Sequence, residues 1–319
     1  MALKDSSIQE AIISKGTPST KIASSDDYAY CRQVMLAASN NYSFASNFLP
    51  GAKRRHIDAL YAFLRIGDDR VDVSYEGFSS RQEAIDTWEE AYQHAFETGD
   101  SPDPVMRAYL STAVENGIPA NTMSPYFRAM KDDLVKTRFA TFEELLHYMD
   151  GSAIPVGRAM TYILGVQEPY TYSEAFLRAD ALSIAMQLSN FWRDIGQDWQ
   201  IGRVYLPQED LKIFEVSGED LAAGRISSGF IELLEFEIGR TEEYYDLASE
   251  GVQMLATGQW GVMSSLLIYR TILRSIRENK YDVFSRRART SLVQKFTLMF
   301  NAWKKIRQSG NGSKTLNSR

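Results

Sequence analysis

Two acidic pairs are the residues in this sequence best placed to do chemistry. The first lies in Tyr61-Ala-Phe-Leu-Arg65-Ile-Gly-Asp68-Asp69-Arg-Val-Asp72, where positions 61, 65, 68 and 72 step by four, three and four. On a helix these residues share one face. The second lies in Gln187-Leu-Ser-Asn190-Phe-Trp-Arg193-Asp194-Ile-Gly-Gln-Asp198, where 187, 190, 194 and 198 step by three, four and four. Its neighbours Ile184, Leu188, Phe191, Trp192 and Ile195 are apolar. A polar stripe on so apolar a helix needs internal partners, because unpaired carboxylates are costly to bury.

Carboxylates one helical turn apart repel each other unless water solvates them or a cation sits between them. Hard divalent cations take oxygen ligands, and Mg²⁺ is held by one or two carboxylates together with substrate phosphate. A single Asp-x-x-x-Asp is usually a solvated helix face. Here there are two, each on a largely apolar helix and each with an adjacent arginine, Arg65 or Arg193. The pattern predicts two acidic helices facing each other across Mg²⁺ and a diphosphate. The metal would act as a Lewis acid on the leaving diphosphate, and the arginines would take phosphate oxygens.

Two weaker features flank these pairs. In Gly202-Arg203-Val-Tyr205-Leu-Pro207, Arg203 and Tyr205 are placed to close over a phosphate; a plain surface turn explains the segment equally well. In Leu145-Leu-His-Tyr148-Met-Asp-Gly151-Ser152-Ala153-Ile-Pro155-Val156-Gly157, small residues and a proline suggest a kinked helix with a thin wall beside a long apolar ligand. Close helix packing is the simpler account of the same residues.

The elements that must hold these residues read as helices throughout. Ser24 to Asp27 offer N-caps for a helix through Tyr30, Val34 and Met35. Apolar residues then recur at helical spacing over 53–73 and 81–97. Further helices are expected near 104–116, 122–137, 141–149 and 153–164, then in one long element from Tyr172 to Trp199. The pattern continues over 208–213, 217–223, 227–256, 259–279 and about 289–306. No sustained period-2 run occurs, so the fold class is all-α, a helical bundle. Residues 1–24 read as a flexible arm, 25–306 as one helical domain and 307–319 as a disordered tail.

Composition narrows the partners. The net charge of −6 argues against a nucleic-acid binder. The single cysteine, Cys31, rules out a disulfide framework within the chain and suits a reducing, cytoplasmic setting. No apolar run is long enough to span a bilayer. Lys304, Lys305 and Arg307 beside Trp303 offer a peripheral contact to anionic headgroups; a solvated tail is the competing reading.

Taken together, the motifs resemble the squalene/phytoene synthase family from about Tyr28 to Lys305. The resemblance runs through Asn41-Tyr-Ser43-Phe-Ala-Ser46-Asn-Phe-Leu-Pro50, the Tyr61 to Asp72 segment, and Tyr148 with Gly151 to Gly157. It continues through Gln187 to Asp198 and on into Gly202 to Pro207. It ends in Ile268-Tyr269-Arg270 and Tyr281-Asp282-Val-Phe284-Ser-Arg286-Arg287. The closest likeness is to bacterial phytoene synthases.

This resemblance implies an isoprenoid-synthase bundle around a central cavity, and a prenyltransferase that joins two allylic diphosphates head to head. It implies three Mg²⁺ ions, with Mn²⁺ as a substitute, and no need for NADPH. Asp68, Asp69, Asp72, Asn190, Asp194 and Asp198 are then the metal ligands. Arg65, Gln187, Asn190, Arg193, Arg203, Tyr205, Tyr269 and Arg286 are expected to hold diphosphate or close the site. Tyr61 and Tyr148 are expected at the reaction centre, with Tyr148 handling a proton or stabilising a cation.

The expected reaction is the condensation of two C20 geranylgeranyl diphosphates, through a cyclopropylcarbinyl diphosphate, to phytoene. Asn-Tyr-Ser-Phe-Ala-Ser and Gly-Ser-Ala-Ile-Pro-Val-Gly also resemble the hydroxysqualene-forming branch, and Asp150 stands where many members carry an aromatic residue. A C30 enzyme making squalene, dehydrosqualene or hydroxysqualene is therefore the nearest alternative. A class I terpene cyclase and a non-catalytic helical assembly protein are the others.

Overall fold

The computed structural model describes residues 23–38, 49–73, 75–286 and 297–307. Residues 1–22 of the expected arm, the Asn41 to Phe48 segment, Arg287, the first residues of the helix expected over about 289–306 (up to 296) and the tail beyond 307 lie outside these residues. Ala23, at the end of the expected arm, is buried and donates its amide to Ser111 Oγ at 2.8 Å. Helices α1 (Ser25–Ala38), α2 (Gly51–Asp72), α3 (Arg81–Thr98), α4 (Pro104–Asn116) and α5 (Ser124–Asp132) form the first half. Helices α6 (Phe142–Ser152), α7 (Ile154–Leu164), α8 (Tyr172–Gln200), α9 (Gln208–Ile213) and α10 (Gly218–Ala222) follow. Helices α11 (Ser228–Gly251) and α12 (Gln259–Glu278) complete the set, with a last helical stretch over 297–307. Among the described residues β-pairing is limited to two isolated bridges, Arg138 with Val204 and Val166 with Leu255.

Local chemistry sets the helix ends. Thr171 and Glu174 form a capping box that starts α8, and Asp103 accepts hydrogen bonds from the Val105 and Met106 amides to start α4; such caps contribute about 1 kcal/mol each. Two expected helices are shorter than their patterns. The one expected over 122–137 stops at Asp132, because Thr137 and Arg138 are drawn into pairing with Val204. The one expected over 227–256 ends at Gly251 in a 3₁₀ turn. The supposed kinked helix around Pro155 is two helices, α6 and α7, broken at Ala153 with Pro155 in the first turn of α7.

The buried side chains fall into two cores. One gathers α1 to α5 and part of α7 around Phe63, Trp88, Tyr109 and Phe127. The other gathers α6, α8, α11 and α12 around Leu188, Trp192, Leu234 and Tyr245. Helix α8, 29 residues and about 43 Å long, is the spine of the second core. Close approach holds α7 against it: a Cβ on Gly157 would lie 2.1 Å from Ser183 Oγ. Gly151 likewise sits on the Pro125 carbonyl of α5, where a Cβ would come within 2.4 Å. The small residues of this segment therefore serve helix packing. Several of them also wall the cavity that opens between the two cores.

Candidate active site

Helix α2 carries the first acidic pair at its C-terminal end. Asp68 is partly buried, and its Oδ1 lies 3.1 Å from the Tyr126 hydroxyl. Burial pushes the Asp68 carboxyl up to about 7; the Tyr126 hydrogen bond opposes the rise, while the charges of Asp72 and Asp133 add to it. Asp72 is more exposed, and the Arg203 guanidinium reaches its Oδ1 at 2.9 Å. Asp69 stands apart from this pair. Arg65 grips it one turn away, with contacts of 3.0 and 2.6 Å.

Helix α8 carries the second pair. Arg193 folds back on its neighbour Asp194 with both arms of its guanidinium, the Nε contact being 2.8 Å. Asp198 follows one turn later, and its carbonyl accepts the Arg203 amide at 2.8 Å. Gly202, at φ +82°, makes that return possible, because a side chain is strained in this left-handed conformation. The turn thus carries Arg203 from the end of the second acidic helix across to the first. The segment is more than a surface turn, since it ties the two carboxylate pairs together.

Behind Arg203, Tyr205 stacks on Phe191 with ring centroids 3.8 Å apart and planes within 8°. Phe139 and Tyr148 complete the aromatic stack. Tyr148 is buried, and its hydroxyl interacts with Asp133 and Tyr205. Asp133 closes α5. Burial pushes its carboxyl up to about 6, against the lowering effects of the Tyr148 hydrogen bond and of Arg203. Neither Asp133 nor Tyr126 stands out in the sequence. The doublet Asp132-Asp133 at the end of an apolar helix was the available signal, and it reads as ordinary surface charge. For Tyr126 no spacing points to α2.

An apolar cavity runs inward from these groups between the two cores. Tyr61, Gln187, Asn190 and Tyr269 line its polar end, with Leu60, Val156, Met160, Leu182 and Met186 farther in. Each long wall has the same order of polarity. On α2 the lining passes from Ile57 and Leu60 to Tyr61, and the acidic pair lies beyond. On α8, apart from Arg178 at the far end, it passes from Ala175 and Leu182 to Gln187 and Asn190, then to Asp194 and Asp198. Such a space suits an amphiphile with an anionic head and a long apolar tail. Arg286 is exposed in the turn after α12, whose Val283 and Phe284 backbone packs against Gly196, on the side of α8 away from Asp194 and Asp198.

The donor set here is Asp68, Asp72, Asn190, Asp194 and Asp198, all hard oxygen ligands. Among the described residues no three carboxylates converge into a ready cage. Mg²⁺ does not require one, because it keeps water and binds through one or two carboxylates and substrate phosphate. Burial is the main cause of the raised Asp68 carboxyl, and the neighbouring charges of Asp72 and Asp133, which add to it, are the kind of crowding a divalent cation relieves. The residues therefore fit such a metal.

The squalene/phytoene synthase model matches residues 35–294. The chain belongs to the squalene/phytoene synthase family. Among relatives of this family, it is 34% identical to the phytoene synthase of Arthrospira platensis over 286 residues, covering 85% of this chain and 90% of that one. It is 33% identical to the 15-cis-phytoene synthase of Synechocystis sp. over 300 residues, covering 91% and 88%. Its fold superposes on a ligand-bound dehydrosqualene synthase with a TM-score of 0.81 at 25% identity, covering 89% of this chain and 97% of that one. It also superposes on the squalene synthase HpnC of Alicyclobacillus acidocaldarius with a TM-score of 0.73 at 29% identity, covering 80% and 95%. As a squalene/phytoene synthase family member, the chain is a prenyltransferase of all-α fold. Among the described residues no helix is long and apolar enough to cross a membrane.

Proposed function

We propose that this prenyltransferase condenses two geranylgeranyl diphosphates to phytoene. The observation that carries the reading is the length of the apolar lane along α8. Asn190 at its polar end and Arg178, the charged side chain that crosses it near its far end, are twelve residues apart, about 18 Å of helix axis. An extended chain advances about 1.2 Å per bond, as a polypeptide does, so a C20 prenyl tail reaches about 18 Å and a C15 tail only about 13 Å. The likeness to phytoene synthases supports the same choice.

In the first half-reaction C1 of one substrate loses diphosphate, and the allylic cation adds across the C2–C3 double bond of the other. Loss of one proton closes the cyclopropane. In the second half-reaction the cyclopropylcarbinyl diphosphate loses its own diphosphate and rearranges. Loss of a second proton leaves the central double bond, so no reductant is consumed. Mg²⁺ held by Asp68, Asp72, Asn190, Asp194 and Asp198 would neutralise charge on the departing diphosphates. Arg203, and Arg193 once it is released from Asp194, supply guanidinium donors to the same oxygens. Tyr148, backed by Asp133 and set beside Tyr205, supplies a buried hydroxyl to stabilise the cation or accept a proton. The apolar walls keep water from the cation. On the helical stretch 297–307, Lys304 lies 4.6 Å over the Phe300 ring and Arg307 4.1 Å over Trp303, both rings exposed. This basic and aromatic face suits a bilayer surface, where a hydrocarbon product can be delivered.

The test is to incubate the purified protein with Mg²⁺ and C20 or C15 diphosphate, with and without NADPH, and to analyse the extract by mass spectrometry. A C40 hydrocarbon formed from the C20 substrate without NADPH is the expected result. A C30 product alone would move the protein to the branch that its likeness to a dehydrosqualene synthase favours. No product and no diphosphate release under any condition would revive the non-catalytic reading.

A further inference from the structure

Among the described residues, every side chain at the end of the cavity farthest from the acidic pairs is apolar or small except one. Arg178 sits there on α8, beside Ala175 and opposite Gly251 and Val252. It lies about 24 Å of helix axis from Asp194, so it takes no part in the acidic site. Its stem rests on Gly251 so closely that a Cβ there would stand 2.2 Å from Arg178 Cβ. Its Nη2 donates to Glu250 Oε2 at 3.0 Å, with Glu250 60% exposed. Its Nε–H is buried without an acceptor. The side chain therefore passes from the cavity to the surface, anchored outside by an ion pair and facing inside an apolar space. An orphaned buried donor in a native fold asks for a reason other than stability, and a leucine would fill the same place without one.

We infer that Arg178 is the floor of the prenyl cavity and sets the longest chain that this enzyme accepts. This inference rests on the prenyl-binding role of the cavity proposed above and adds the residue that limits its depth. The guanidinium tip is tied to Glu250, and the stem is seated on Gly251. An incoming tail thus meets a wall held at both ends, not a flexible side chain free to swing aside. Shortening the side chain removes that wall and extends the lane toward the surface between α8 and α11. Adding volume at Ala175, which lines the same end and is buried, raises the floor by about one side chain.

The experiment compares wild-type protein, Arg178→Ala and Ala175→Leu, each full length and with its melting curve recorded. Each is given C15, C20 and C25 prenyl diphosphates in pairwise competition with Mg²⁺, and the chain length of each product is read by mass spectrometry. Arg178→Ala is expected to raise the C25-to-C20 ratio by at least about ten-fold, the scale on which pockets discriminate added methylenes. Ala175→Leu is expected to lower the C20-to-C15 ratio by a similar factor of about ten. Ratios within about two-fold of wild type in either folded variant would overturn the inference. If Arg178→Ala does not fold, the Ala175→Leu ratio decides. If wild-type protein makes only C30, the C20 reading fails, and the floor is still tested by whether Arg178→Ala admits the next longer chain.

Discussion

Tyr126 sets its hydroxyl 3.1 Å from Asp68 Oδ1 and 2.9 Å from the Leu64 carbonyl, and it can do so because residue 67 has no side chain. A Cβ on Gly67 would lie 2.2 Å from that hydroxyl. A phenol from α5 is thereby locked onto the last turns of the first acidic helix. Tyr126→Phe should lower stability by about 1 kcal/mol, the worth of one buried hydrogen bond. It should also weaken apparent Mg²⁺ affinity, read from diphosphate release at graded Mg²⁺. Gly67→Ala should cost more, about 1–3 kcal/mol, because the ring must move. Equal melting temperatures for wild type and both variants would contradict this account.

The turn carrying Arg203 joins the two acidic helices, so its guanidinium has to be charged and also correctly shaped. Arg203→Ala should reduce kcat/KM for the prenyl diphosphate by about 100-fold or more, the scale of losing one positioned donor to a developing anion. Arg203→Lys should restore only part of that loss, since an ammonium cannot reproduce the fork. Steady-state diphosphate release measures both. Full activity in the lysine variant would reduce Arg203 to a point charge.

Asp133 touches Tyr148, so it is a positioning residue for the proposed proton step. Asp133→Asn and Tyr148→Phe should each slow product formation by about 10²- to 10⁴-fold, the range for a positioned acid or base. The double variant should be little worse than either single one, because groups acting as a unit are not additive. Additive losses in single-turnover assays would show that the two act separately.

Glu237 offers a pH test remote from the acidic site. It is fully buried on α11, with Arg240 Nη1 3.3 Å from its Oε2. Burial pushes its carboxyl up to about 9 from an ordinary value of 4.5; Arg240 opposes the rise and Asp210 adds to it. The folded protein thus holds a proton that the unfolded chain gives up near pH 4.5. The resulting stability is present in full below that pH and is lost as pH rises through about 9. Glu237→Gln cannot titrate, so its melting temperature should gain steadily on wild type from pH 5 to pH 9. A constant gap across that range would exclude the linkage.

The parts of this fold written as local periodicity were legible in the sequence. Helical spacing placed Asp68 and Asp72 on one face and Gln187, Asn190, Asp194 and Asp198 on another, and both faces meet the cavity or its mouth. What spacing cannot encode is which distant side chain arrives. Tyr126 reaches α2 from 58 positions away in sequence, and Asp133 meets Tyr148 only because α5 and α6 pack through Gly151. The helix expected over 122–137 was overlong for a related reason. Its last residues are apolar enough for a helix, but they are claimed by Val204, a partner no window of local sequence contains. The Gly151 to Gly157 segment shows the opposite case: in sequence, close packing and a cavity wall are alternative readings, and the same small residues do both.

The polarity of the cavity walls has a consequence for the end of the catalytic cycle. Every fixed charge that grips the substrate grips its phosphate. Once the second diphosphate departs, the proposed product is a pure hydrocarbon with no handle for Arg203, Gln187 or Asn190 to hold. It stays only because water is a worse solvent than the cavity, so no contact distinguishes staying from leaving once another apolar phase is near. In plain buffer the product then becomes its own inhibitor, occupying the lane that the next pair of tails must enter. With lipid vesicles present, the same molecule partitions away, and turnover is set by extraction instead of chemistry.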